Sequence, residues 1–287
     1  MAYKLLAINI DALQWQNRGR VMKSTKEAIR YVHKKQVAIC FYSNRELALV
    51  KKAAKSLHPQ SCLIAHGGAY VSSESDKPVF IQRINEDVAY EIVQFLESFD
   101  CRLTLSNENF SVSNRGRLPK TLVKRNVWQR TQRFLYSQYF VDSLAEHLFE
   151  ERISPLSMQV TFFRPSEREE AVQALNNMFH ELSFTKKGRD EVVISASNVS
   201  KWNSILYLAD RMDIHRSEIA VIGANEDDEQ AVREAGIGIA MGDAPLNIKK
   251  AANWVTRKKE EGGVHYVIKE LFRKQRRVET EEVNKFE

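Results

Sequence analysis

Asn9 and Asp11 stand two residues apart where the apolar run Leu5-Leu6-Ala7-Ile8 ends. On an extended strand, side chains two apart point to the same side. In an open α/β sheet the carboxyl ends of the strands are where ligands bind. Two carboxylates in this arrangement would read as a metal-assisted phosphoryl-transfer site, but this chain has one amide and one carboxylate. Three further places could supply the rest of such a site. Ser43-Asn44-Arg45 follows the apolar run Ile39-Cys40-Phe41-Tyr42. A Ser there can cap the next helix or bind a phosphate oxygen, and capping is the commoner use. Lys201 follows Ser200 at the mouth of a helix, where a lone Lys is usually a surface residue. Asp227 and Asp228 close the stretch Val221-Ile222-Gly223-Ala224-Asn225-Glu226. Acids in a first helical turn complement the helix dipole, and acids after a buried strand also suit a hard cation.

These residues need a scaffold, and the pattern of the chain predicts one. Lys4–Ile10, Val37–Tyr42 and Cys62–Ala65 read as strands. Between them lie a helix opened by the capping box Ser24-Thr25-Lys26-Glu27 and a helix over Arg45–Leu57. This alternation implies right-handed crossovers and a parallel sheet. From about Asn85 the rhythm changes. A helix near Asp87–Ser98, strands at Cys101–Leu105, Phe110–Ser113 and Gln138–Asp142, and a helix near Leu144–Glu150 are followed by the strand Leu156–Phe163 and a helix capped by Ser166-x-x-Glu169. Strands clustered in this way predict an α+β insertion with a partly antiparallel sheet. The first rhythm returns with a helix at Lys201–Met212, a strand at Glu218–Gly223, a helix at Asp227–Ala235, a strand at Gly236–Met241, a helix at Pro245–Ala252 and the short strand Trp254-Val255. The expected architecture is an α/β core of residues 1–84 and 197–287, with an α+β domain of residues 85–196 inserted into it.

Composition narrows the class. At 287 residues, 28% charged and 43% apolar, the chain has an ordinary globular balance. No apolar run approaches the ~18 residues that span a bilayer, so a membrane partner is not expected. The start of the chain goes straight into a strand pattern without the regions of a signal peptide. Cys40, Cys62 and Cys101 are odd in number and widely spaced, which fits a reduced cytoplasm better than a disulfide framework. The net charge of +6 is uneven. Arg115, Arg117, Lys120, Lys124, Arg125, Arg130 and Arg133 form a run without an acid, and Lys269, Arg273, Lys274, Arg276 and Arg277 form a second cluster. Both attract phosphate-bearing partners or simply solvate helix faces. The second cluster reads as a solvated face, with Val264, Val267, Ile268, Leu271 and Phe272 inward. No nucleic-acid-binding motif accompanies either, so nucleic acid is disfavoured as a partner.

Together the four polar segments resemble the haloacid dehalogenase (HAD) superfamily, defined by Asp-x-Asp-Gly-Thr after the first strand, Ser/Thr-Gly-Arg after the second, a Lys at a later helix start, and Gly-Asp-x-x-Asn-Asp after a late strand. The inserted domain points to the Cof-type sugar-phosphatase branch, and the resemblance is especially close to a bacillary stress-response group within it. It extends to the tail Ala235-Gly236-Ile237-Gly238-Ile239-Ala240-Met241-Gly242. The resemblance implies an HAD-like Rossmannoid parallel sheet with an inserted cap. It also implies that Asn9 holds the nucleophile's position, Asp11 that of the general acid and base, and Ser43 and Lys201 those of the phosphoryl-binding and charge-neutralising residues. Asn44 and Arg45 would join Ser43 and Lys201 around a phosphate, and Mg2+ would be held through the backbone carbonyl of Asp11 and through Asp227 and Asp228.

The departures from the motifs weigh against turnover. An amide is a poor nucleophile and a weaker Mg2+ ligand than a carboxylate. Ala224 replaces a metal-binding Asp, Asp227 an Asn, and Ala12 and Leu13 the Gly-Thr that would keep the loop beside the acid open. Gly67 stands for an Asn, Asp243 for another, and Trp202 for a Gly, adding bulk at the same cleft. The leading expectation is a phospho-ligand-binding or stress-related pseudo-phosphatase whose Mg2+ site is weak or lost. The alternatives are a weak Mg2+-dependent phosphatase of small phosphorylated metabolites, and a protein whose basic run binds nucleic acid or an acidic partner.

Overall fold

The computed structural model describes residues 2–13, 15–16, 20–58, 60–74, 77–115, 137–273 and 275. They form two compact units: one from the stretch up to Arg45, Leu49–Phe80 and the stretch from Ser200 onward, the other from Glu46–Ala48 and Ile81–Val199. The basic run beyond Arg115, and Lys274, Arg276 and Arg277, lie outside the described residues.

The first unit is built on an eight-stranded sheet ordered Trp254–Val255, Ile237–Ala240, Ile219–Gly223, Leu5–Asn9, Ala38–Tyr42, Cys62–Ala65, Tyr70–Glu74, Lys77–Ile81. The first six strands run parallel. The sequences LLAIN and IAVIG are buried throughout. The apolar residues Leu5-Leu6-Ala7-Ile8 and Ile219-Ala220-Val221-Ile222 within them are what a sheet covered on both faces requires. The register brings their carboxyl ends level. Ile8 pairs with Ile222, and Asn9 pairs with Tyr42, the residue before Ser43. Gly223 ends the Ile219–Gly223 strand where a Cβ would meet Val232 Cγ2 at 2.5 Å and Asp228 Cβ at 3.0 Å, so a side chain here would push back the residues that follow the strand.

The second unit is a six-stranded sheet ordered Ser137–Val141, Phe110–Asn114, Cys101–Ser106, Ser157–Phe162, Glu191–Ala196, Leu182–Lys187, mixed in direction. The helices Glu86–Leu96, Leu144–Glu150 and Pro165–Met178 share its core, in which Ile92, Leu148, Met158, Leu175 and Ile194 are buried.

Several local expectations are corrected. The helix expected to open at the Ser24 box is Lys23–His33, with Met22 at its cap and no side-chain cap bond. Thr25 is buried in phase with Ala28, Ile29 and Val32, which draws Ser24 into the first turn. Ser166 does not cap its helix either, because Pro165 takes the first helical position and leaves Arg164 as the cap. The Tyr70–Glu74 and Lys77–Ile81 strands and the Leu182–Lys187/Glu191–Ala196 hairpin were not anticipated. Their signals are faint: Tyr70–Glu74 buries Ser72 and Ser73, and Leu182–Lys187 buries Leu182 alone. Cys40 and Cys62, far apart in sequence, are partners on adjacent strands. Both are buried free thiols, as is Cys101, and burial pushes the Cys62 and Cys101 thiols up to about 12.

Candidate functional site

Asn9 caps the short turn Ile10–Ala12: its Oδ1 accepts the Asp11 N–H at 2.9 Å. Its Nδ2 donates to Asp228 Oδ2 at 2.6 Å, and both residues are fully buried. This orientation of the amide is fixed by its neighbours, since a backbone N–H only donates and a carboxylate only accepts. A carboxylate at position 9 would keep the first bond and lose the second.

Asp228 gathers donors from several elements. Its Oδ2 also accepts the backbone N–H groups of Ala224 and Asn225 at 2.8 and 2.9 Å, and its Oδ1 accepts from Lys201 Nζ. The ammonium of Lys201, itself 4% exposed, also donates to Asp227 Oδ1 at 2.7 Å. Burial alone would lower the Lys201 pKa. The two carboxylates, Asp228 foremost, outweigh burial and leave it raised. Asp227 Oδ2 accepts from Asn44 Nδ2. Asp11 is held from two sides, by Arg45 on Oδ1 at 2.8 Å and by Asn225 Nδ2 on Oδ2 at 2.9 Å.

Lys201 reaches this position because its helix, Lys201–Arg211, is capped by Ser200 and anchored through Ser204, whose Oγ donates to the Gly68 carbonyl at 2.9 Å. Gly68 has φ +115°, and a Cβ on it would lie 2.5 Å from the Ser200 carbonyl oxygen. The glycine therefore permits the close approach that sets the lysine.

The structure thus brings Asn9, Asp11, Asn44, Arg45, Lys201, Asp227 and Asp228 into one hydrogen-bonded cluster. Ser43 adjoins it through the Arg45 backbone, and among the described residues its side chain makes no bond to the other side chains of the cluster. It is fully buried, and its Oγ accepts the Arg45 N–H at 3.1 Å. Trp202 does not crowd the cluster, contrary to expectation. One helical step turns it about 100° from Lys201, and it is buried with its Nε1–H on Glu234 at 2.9 Å. Asp243 accepts the Lys259 N–H, away from the cluster's bonds. Ala12 and Leu13 are buried, as expected of residues that close the loop beside Asp11.

Two participants escaped the sequence reading. Asn225, within the acidic loop, links Asp11 to Asp228. Tyr42 lies under the Lys201 ammonium, 5.7 Å from ring centroid to Nζ, and its hydroxyl donates to the Ile222 carbonyl at 3.0 Å. Burial first, then Asp228, holds the Tyr42 pKa well above its ordinary value. Asn225 could have been read from its place in the loop, whereas a strand tyrosine gives no such signal.

The metal the resemblance implies fits this donor set poorly. All six carboxylate oxygens of Asp11, Asp227 and Asp228 accept N–H donors of the protein. Among the described residues, no three His, Cys, Asp or Glu side chains gather as a metal-holding group. The Asp227 and Asp228 carboxylates are thus already engaged by the protein's own donors.

A family model for haloacid dehalogenase-like hydrolases matches residues 7–268. The chain belongs to the haloacid dehalogenase-like hydrolase family. Within that family it is of the Cof-type, phosphatase-like kind. It is 32% identical over 277 residues to Stress response protein YhaX of Bacillus subtilis, covering 96% of each chain. It is 23% identical to Phosphatase YwpJ of the same organism, over 93% of this chain and 99% of that one. A solved haloacid dehalogenase-like hydrolase from B. subtilis shares the fold at TM-score 0.80 and 20% identity, covering 93% of this chain and 99% of that one. Among the described residues, no helix of this HAD-like chain is long and apolar enough to cross a membrane.

Proposed function

We propose that this HAD-like chain is a pseudo-phosphatase that binds a small phosphorylated ligand without hydrolysing it. The observation that carries the reading is the Asn9 amide, neutral and bonded through both of its polar atoms at the nucleophile's position. Attack on phosphorus needs a free, electron-rich oxygen, and an amide oxygen already accepting the Asp11 N–H is neither. Ala224 removes a second carboxylate from the same strand end. Electrostatic stabilisation in a phosphoryl-transfer site rests on groups of this kind, each worth several kcal/mol.

The group that favours anion binding is Arg45, with its side chain about half exposed. Arg45 is shared with Asp11 at the surface, where such a pair contributes ~1 kcal/mol or less, so an incoming phosphate competes readily for the guanidinium. Lys201 is less available, being buried between two acids. Free, buried thiols support a cytoplasmic setting. A stress-related role is carried over from the YhaX relative.

The test is phosphate release from a panel of small phosphomonoesters, with MgCl2 and with EDTA. No release above the buffer rate is expected. Steady release that is lost in Asp11→Ala would establish instead a weak phosphatase. Asn9→Asp combined with Ala224→Asp is expected to restore measurable, Mg2+-dependent release if the remaining site is intact.

A further inference from the structure

We infer that Lys201 is the resident cation of this site and that the cluster around it is closed to Mg2+. The inference goes beyond the absence of turnover, because it concerns what neutralises the buried acids.

Asp228 is fully buried and Asp227 about one-quarter exposed, so both need a counter-charge at short range. The Lys201 ammonium touches both and is itself almost entirely buried. The second half of the arrangement is Asn9. A carboxylate there would face Asp228 Oδ2 at the 2.6 Å now spanned by an N–H donor, and two carboxylates at that distance require a cation or a shared proton between them. With an amide in place, the need disappears. The Ala224 and Asn225 backbone N–H groups fill the remaining capacity of the same oxygen. A divalent ion would have to displace at least one of these donors, and it would find the neutral Asn9 oxygen already engaged with Asp11. The substitution at position 9 and the capture of Lys201 by both acids are thus two parts of one charge-balanced core.

The experiment is thermal unfolding of the whole chain after EDTA treatment, with MgCl2 added against NaCl of equal ionic strength. For the natural sequence, the melting temperature is expected not to respond to Mg2+. Asn9→Asp in EDTA is expected to melt lower by roughly 5 °C or more, and MgCl2 should recover much of that loss, more fully with Ala224→Asp added. If Asn9→Asp does not fold in EDTA, its recovery on refolding with MgCl2 gives the same reading. A rise in the natural chain's melting temperature with Mg2+, removed by Asp228→Asn, would overturn the inference. So would an Asn9→Asp variant that melts like the natural chain in EDTA. Stabilisation by Mg2+ without turnover would defeat this inference alone, and turnover in EDTA would defeat the proposed function alone.

Discussion

At the scale of single residues, burial decides which of the cluster's ion pairs matter. Asp228 is fully buried and serves Asn9, Lys201 and two backbone N–H groups at once. Asp228→Ala would leave the buried Asn9 amide without its acceptor and Lys201 with Asp227 alone, and it is expected to cost about 3–5 kcal/mol in urea unfolding. Arg45 pairs with Asp11 where both remain partly exposed, so Arg45→Ala should cost ~1 kcal/mol or less in the same assay. Equal losses for the two variants would refute this ranking. The sequence made Asn9, Asp11, Lys201 and the acidic loop legible as polar residues at strand and helix ends. It did not make the Asn9–Asp228 bond legible, since the partners lie 219 residues apart and neither residue type announces the other.

At the scale of elements, the turn His66–Gly68 and the helix Lys201–Arg211 are fitted backbone to backbone. Gly68→Ala adds a Cβ at φ +115° against the Ser200 carbonyl. It is expected to cost about 1–3 kcal/mol by thermal unfolding and to loosen the placement of Lys201. A smaller loss for Gly68→Ala than for Ser204→Ala, which removes one hydrogen bond, would argue against the close fit. A second element-level device lies between the helices Lys23–His33 and Leu47–Leu57. The His58 ring sits 4.0 Å from that of His33, and its Nδ1 is buried with no hydrogen-bond partner among the described residues. Burial, then His33, then Arg30, lowers the His58 pKa. The unfolded chain therefore takes up a proton near the ordinary histidine value, while the folded chain does so only at lower pH. Stability should be level above about pH 6.5 and fall as the pH drops from there through the folded value. Urea midpoints measured across that interval should show the decline, and His58→Gln should flatten it. Helix starts were legible only to within a residue or two, because Thr25 burial and Pro165 moved the caps away from the Ser residues that signalled them.

At the scale of the molecule, the second unit carries its own core, from Ile84 and Ile92 to Met158 and Ile194. A fragment of residues 81–199 is accordingly expected to unfold cooperatively by itself, as followed by circular dichroism. A featureless, non-cooperative melt would show that it depends on the remainder of the chain. The sequence by itself determined the α/β class and the parallel core, because short apolar runs such as Leu5-Leu6-Ala7-Ile8 and Ile219-Ala220-Val221-Ile222, alternating with amphipathic helices, have few other ways to be buried. It also determined that position 9 lacks a carboxylate. Only the tertiary structure decided what took the carboxylate's place. The register of the central strands, the close approaches at Gly68 and Gly223, and the long-range bonds from Lys201, Asn44 and Asn225 turn scattered polar residues into one neutralised cluster. Hydrogen bonds and charge pairs act over a few ångströms between residues that are remote along the chain, so residue type shows that a partner is needed and the fold alone chooses it.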